Sequence, residues 1–231
     1  MEAEGNESSV SPPLRLRCRG PVAIFTRPEF KTERVSYPVM TPSAARGLLE
    51  AVVWKPAIRW RILRIEVLSK IEFTAFRRNE VNSRAIAPPA AVIDRGGKAH
   101  VLFADDDRAQ RNTVALRDVD YLITARFEMT ERAGPADNVA KFVDMFRRRV
   151  EKGQHFHQPY FGCRECVADV LPATGADKPI DDTRDLGLML WDIVHEPTGT
   201  RAVFFDAKLL HGVLEVPADP QPQVSAKESI A

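Results

Sequence analysis

Residues 41–68, TPSAARGLLEAVVWKPAIRWRILRIEVL, decide the fold because their periodicity changes midway. Thr41 before Pro42 marks a helix start: an N-cap oxygen, then a residue whose missing N–H is not needed in the first turn. Ala45, Leu48, Leu49 and Val52 recur at i, i+3, i+4 and i+7, one apolar helical face, and Lys55-Pro56 stops it. From residue 57 the period falls to two. Ile58, Trp60 and Ile62 alternate with Arg59 and Arg61, a strand with one apolar face. The parity then moves to Leu63, Ile65 and Val67, which predicts a bulge near Ile62 and Leu63.

Outward from this unit the pattern repeats. Upstream, Leu14, Leu16 and Cys18 alternate with Arg15, Arg17 and Arg19, a strand with a basic outer face. Downstream, Tyr121, Ile123, Ala125, Phe127 and Met129 alternate as another strand. Asp137 is the expected N-cap of a second helix, whose stripe is Val139, Phe142, Val143, Phe146 and Val150. Residues 163–171 read as a short strand. The order strand, helix, strand, strand, helix, strand predicts an α+β, ferredoxin-like (RRM-like) domain at 14–172, with a long insertion at about residues 70–112 between its second and third strands. Apolar clusters separated by turns predict a small C-terminal β-sheet domain at 173–216. The acidic, Ser-rich residues 1–13 and the proline-bearing residues 217–231 are expected to be flexible tails.

With 231 residues and 44% hydrophobic content, the chain fits one ordinary globular domain with a small appendage. No apolar run approaches the ~18 residues of a membrane span, and the first residues hold no secretory h-region. A cytoplasmic protein without membrane contact is expected. Three cysteines do not make a disulfide framework. Gly96-Gly97 lacks the lysine and spacing of a phosphate loop. The net charge of +1 conceals an asymmetry: residues 1–165 carry 28 basic and 21 acidic side chains, residues 166–231 only 5 and 11. Cations concentrate at residues 55–84 and again at Lys141, Arg147, Arg148, Arg149 and Lys152. Polyanions respond to such local patches, so the total does not argue against nucleic acid.

Three blocks carry a resemblance: YPVMTPSAARGLLEAVVWKPAIRW (37–60), FRRNEV (76–81) and KFVDMFRRRVEKGQHFHQPYFGCREC (141–166). Together and in this order they resemble the subtype I-C CRISPR-associated RAMP protein of the fifth Cas family, over most of the chain from Leu14. The resemblance implies a metal-independent endoribonuclease that binds the repeat hairpin of precursor CRISPR RNA and cuts at its 3′ base. It also implies that the protein then stays with the guide among the other subunits of the interference complex. In such a cut the neighbouring 2′-hydroxyl is the nucleophile, leaving a 2′,3′-cyclic phosphate. The protein must align that oxygen, move protons and offset charge on the phosphorane.

The family's acid–base trio is a tyrosine before WKP and an adjacent lysine and histidine on the second helix. Lys141 matches the lysine; the other two positions are Val53 and Phe142. His155, His157 and Tyr160, in residues 153–162 after that helix, are the expected replacements, since histidine suits proton transfer near neutral pH. Expected RNA contacts are Arg77, Arg78, Arg84, Arg147, Arg148, Arg149, Lys152 and Tyr37, with at least one arginine held in a structural ion pair. No cofactor and no metal are expected. His155, His157, Cys163 and Cys166 have the residue types of a zinc site, but alternate residues of an extended segment face apart and a second knuckle is missing. Two competing expectations are a weakly cleaving RNA-binding subunit that clamps the guide's 5′ handle, and a general binder that also holds duplex DNA.

Overall fold

The computed structural model describes residues 9–30, 32–84, 86–97, 101–196 and 199–220. In chain order the elements are β1 (Leu14–Ala23), β2 (Arg34–Val35), α1 (Pro42–Val52), β3 (Ile58–Val67), β4 (Glu72–Val81), α2 (Ala90–Asp94), β5 (Arg108–Met129), α3 (Val139–Glu151), β6 (Asp169–Pro172), β7 (Arg184–Glu196), β8 (Gly199–Leu210) and β9 (Val213–Glu215). The fold is α+β, a largely antiparallel sheet with few helices. Its strand path runs β6-β1-β5-β3-β9-β8-β7.

The 22-residue β5 is the spine. Its second half is flanked by β1, from Leu14 opposite Ala125 to Ala23 opposite Leu116, and by β3, from Ile58 opposite Met129 to Val67 opposite Tyr121. Its first half pairs with β4 along Glu72–Val81, and with β2 at Thr113 and Val114. The expected insertion is therefore mostly a hairpin arm made by extending the spine strand. The parity change in β3 is a register shift between Ile62 and Arg64. The Leu63 carbonyl at the bulge accepts from Val216 N–H at 2.9 Å, beside the β3–β9 pairing that carries the C-terminal strands on into the same sheet.

The apolar face of α1 (Ala45, Leu48, Leu49, Val52) and that of α3 (Phe142, Val143, Phe146, Val150) are buried in the core. Trp60 of β3 lies 5.4 Å, centroid to centroid, from both Phe127 and Phe146. Thr41 caps α1 as expected, accepting from Ala44 N–H. The cap of α3 is Asn138 rather than Asp137. Asn138 has the extended backbone a cap needs and its Oδ1 accepts from Lys141 N–H at 2.9 Å, while Asp137 is one position too early and instead accepts from Gly134 N–H.

The strand expected at 163–171 is a turn followed by the short β6. Cys166 N–H bonds the Cys163 carbonyl, and Phe161 and Ala168 pair back with Cys166 and Pro159. Gly162 sets this geometry. It has φ +78°, and a Cβ there would lie 2.0 Å from the Ile24 carbonyl oxygen. Residues 9–11, expected within a flexible tail, are fastened to β5, with Met129 N–H bonding Ser9 and Ser11 exchanging bonds with Phe127. Beyond Leu14 no β1 residue reaches that end of β5, so its polar groups take these partners. In the other expected tail, 217–231, the Pro217 carbonyl accepts from the Trp191 indole at 3.1 Å, and residues 1–8 and 221–231 lie outside the described residues. Among the described residues no helix is long and apolar enough to cross a membrane.

Candidate nucleic-acid interface and active site

A helix ends with carbonyls that have no partner inside it, and at α1 those carbonyls build the site. Ala51 O accepts from Phe156 N–H at 2.7 Å and from His157 N–H at 3.3 Å. Val52 O accepts from the Arg149 guanidinium at 2.6 Å, and Val53 O from the Trp60 indole at 3.1 Å. The loop after α3 is thereby laid against the end of α1. Pro56 prevents the helix from continuing, and Trp54 is turned outward, 49% exposed. Its ring stacks on Phe156, itself 60% exposed, with centroids 5.8 Å apart and planes 25° from parallel. The row continues from Phe156 to His157 (5.9 Å) and from His157 to Tyr160 (6.4 Å).

Exposed aromatic faces beside cations suit unpaired bases, because every base has a π-face and a phosphate. Arg147, Arg148 and Lys152 supply exposed cations at the end of α3. His157 adds a proton-transfer group. Its Nδ1 is 3.3 Å from the Gln158 carbonyl, which can only accept, so the neutral ring carries its hydrogen on Nδ1 and keeps the Nε2 lone pair free. His155 is also exposed, two positions from His157. Trp54 and Phe156 are not among the site residues expected from sequence; their only signal is that Trp54 falls off the apolar stripe of α1.

Other expected site residues lie elsewhere. Lys141 is in the first turn of α3, ten residues before its end, and the charge of Lys55, the neighbour of Trp54, also acts on its partner Asp137. The Lys141 Nζ pairs with Asp137 at 2.8 Å, a bond that holds the Asp137 carboxyl below the usual range with help from Gly134 N–H. Tyr37 is a core residue, 0% exposed, with the Arg27 guanidinium 4.8 Å from its ring centroid; burial removes it from the expected RNA surface. Arg78 pairs with Glu80 and Glu165, and Arg149 caps α1, so both are structural. Arg77 and Arg84 are exposed on and beyond β4. The exposed cations therefore come from two elements, the β4 arm and the end of α3. Val53 and Phe142, the positions of the family tyrosine and histidine, are core residues at 0% and 2% exposure.

Cys163 Sγ lies 3.1 Å from the Arg34 guanidinium, and burial pushes the Cys166 thiol up to about 11. Among the described residues no three His, Cys, Asp or Glu side chains converge as metal ligands would.

Against this geometry, residues 13–217 match the family described as Cas_Cas5d, CRISPR-associated protein (Cas_Cas5). The chain belongs to the Cas5d family. Two curated relatives carry the name CRISPR pre-crRNA endoribonuclease Cas5d. The protein of Mannheimia succiniciproducens is 44% identical over 214 residues, covering 88% of this chain and 94% of its own length. That of Thermus thermophilus is 41% identical over 224 residues, covering 89% and 92%. A solved CRISPR-associated protein shares the fold, with a TM-score of 0.68 at 21% identity over 93% of this chain and 96% of that one. Membership of Cas5d thus spans β1 to β9.

Proposed function

We propose that this Cas5d protein is a metal-independent endoribonuclease that binds the CRISPR repeat hairpin and cleaves precursor CRISPR RNA by attack of the substrate's own 2′-hydroxyl. The observation that carries the reading is the 44% identity to a relative named a CRISPR pre-crRNA endoribonuclease, over nearly its whole length. The aromatic row supports it physically. An unpaired base at the foot of the hairpin stacks on Trp54 and Phe156, which brings the adjoining ribose to His157. His157 Nε2 takes the proton of the 2′-hydroxyl, while Tyr160 and His155 are the nearby groups that can protonate the leaving 5′-oxygen. Arg147, Arg148 and Lys152 hold the hairpin's phosphates. Lys141, held by Asp137, contacts the RNA backbone, and Arg77 and Arg84 on the arm extend the contact.

We read 14–172 as a ferredoxin-like, RRM-like domain: β6-β1-β5-β3 is the fourth-first-third-second strand order of that fold, with α1 and α3 as its connections. Residues 173–216 then form an appended β-sheet lobe. The product stays bound, and the other subunits of the interference complex assemble on it. A second reading has one specific observation in its favour. Val53 and Phe142 are apolar and buried where the family tyrosine and histidine belong, which suits a subunit that clamps the guide while cutting poorly.

Incubation of the purified protein with its own repeat RNA in EDTA separates the two. Site-specific cleavage leaving a 2′,3′-cyclic phosphate, abolished by a 2′-deoxy substitution at the cut, is expected. Tight binding without cleavage would establish the clamp, and binding that duplex DNA competes away equally well would establish the general binder.

A further inference from the structure

Among the described residues β9 pairs with β3 only at Arg64, Ile65 and Glu66, and leaves the edge of β3 before Leu63 uncovered. There a cavity of about 170 Å³ opens between α1, the β3–β5 ladder and β7, lined among others by Arg46, Arg61, Arg126, Glu128, Trp191 and Asp192. Its volume is several times the ~30 Å³ share of one water, so it has room for a substantial ligand group.

The charges in this cavity do not balance internally. Arg61 and Arg126 are directly opposite each other in the antiparallel β3–β5 register. Like charges in that position repel and destabilise a sheet. Arg61 is relieved by Glu128 at 3.2 Å, and Arg46 by Glu50 at 3.0 Å and Asp192 at 2.7 Å. Among the described residues no carboxylate pairs with Arg126, and its Nε is buried without an acceptor; the Nε of Arg46 is in the same condition. A buried donor left unsatisfied is costly, and an arginine fork matches the oxygens of a phosphate. An open groove of about 650 Å³ shares Arg46 and Glu128 with this cavity and passes Arg59 and Lys55 to reach Trp54. The groove carries Arg46, Lys55, Arg59 and Arg132 along with Glu50, Glu128 and Glu131, and it joins the cavity to Trp54 of the aromatic row.

We propose that the Arg126 cavity is a phosphate-binding subsite for single-stranded RNA: Arg126, with Arg61, takes a phosphodiester of the unpaired strand flanking the hairpin, and Trp191 lies beside the attached nucleotide. This rests on the RNA-cleaving reading above and adds to it a grip on the flank, apart from the cleavage centre.

The test uses the full chain, a single-stranded decanucleotide from the flank of its own repeat, and the intact repeat RNA. Arg126→Gln is expected to weaken decanucleotide binding about tenfold, the worth of one charge-assisted contact. The slope of log affinity against log salt should become shallower by about 0.7, the value for one phosphate contact on a single strand. In cleavage the loss should appear in KM and not in kcat. The RNA-free R126Q protein should melt no lower than wild type, because the substitution removes a repulsion; a purely structural arginine would lower Tm instead. Unchanged affinity and salt slope in R126Q, or a lowered Tm with unchanged binding, would overturn the subsite. Should R126Q fail to fold, Arg61→Gln probes the same cavity from the opposite strand, and unchanged binding there has the same force. A wild-type protein that neither binds nor cuts repeat RNA would overturn the functional reading and the subsite with it. Wild-type cleavage with an indifferent R126Q overturns the subsite alone.

Discussion

His157 and His155 are both exposed histidines two positions apart, yet the structure gives them different work. Among the described residues His157 alone of the two is held, by the bond of its backbone N–H to Ala51 O, by the Gln158 carbonyl at Nδ1 and by its place between the rings of Phe156 and Tyr160. A positioned base contributes roughly 10²–10⁴-fold to a rate, an unpositioned one far less. His157→Ala is therefore expected to slow EDTA-resistant cleavage by about 10²-fold or more with RNA affinity little changed, and His155→Ala to slow it much less. Single-turnover rates on the repeat RNA decide this; equal rates for wild type and H157A would remove His157 from the reaction. Gly162 is the other residue on which the site depends. An alanine there meets the Ile24 carbonyl and a left-handed backbone at once. Gly162→Ala should cost roughly 3 kcal/mol, read as a lower Tm and denaturant midpoint.

At the scale of elements, the end of α1 does two things. Its carbonyls fix the loop after α3, and its last turn delivers Trp54 to Phe156. Base stacking on an aromatic side chain is worth ~1–3 kcal/mol, so Phe156→Ala should weaken repeat-RNA binding about tenfold or more while leaving the fold intact. Fluorescence of a 2-aminopurine placed beside the cut should be quenched on binding to wild type and much less on binding to F156A; equal quenching would place the base elsewhere. Arg149 acts from beneath. Arg149→Ala should destabilise the protein by about 1–2 kcal/mol, the loss of a charge-assisted bond at a helix C-terminus. Circular dichroism melts check it, and an unchanged Tm would show that Val52 O finds another donor.

Over the whole molecule, acidic groups tie distant parts together. Asp177, its side chain 1% exposed, joins the stretch after β6 to Arg17 of β1. Burial raises its affinity for a proton, but the Thr174 backbone and hydroxyl and the Arg17 charge outweigh that and leave it below the ordinary carboxylate range. The bond from Arg78 chiefly lowers Glu80 against a smaller effect of burial, and Arg34 and Arg111 add to it. Groups held below their unfolded values stabilise the fold above those values and lose that contribution as pH falls through the folded ones. Stability should thus be nearly flat from pH 7 to about 5 and fall steeply below about 4. Tm measured across that range tests it, and Asp177→Asn should lower Tm at pH 7 and flatten the acid limb.

The helix over 42–52, the bulge at Leu63 and the stripe of α3 were all legible in the sequence, because each depends on neighbours within a few residues: a cap, a proline, a period of 3.6 or of 2. The blocks at 37–60, 76–81 and 141–166 likewise pointed to the family, since residue identities are local facts. Whether a side chain is wet or buried is not local. Tyr37 has the chemistry of an RNA contact and is in the core, Arg149 has the charge of one and caps a helix, and Trp54 and Phe156, about 100 residues apart, meet only because α1 and α3 pack together. Burial, ion pairing and ring stacking depend on which distant elements come together, and that was decided by the packing of the two helices on the β5 sheet.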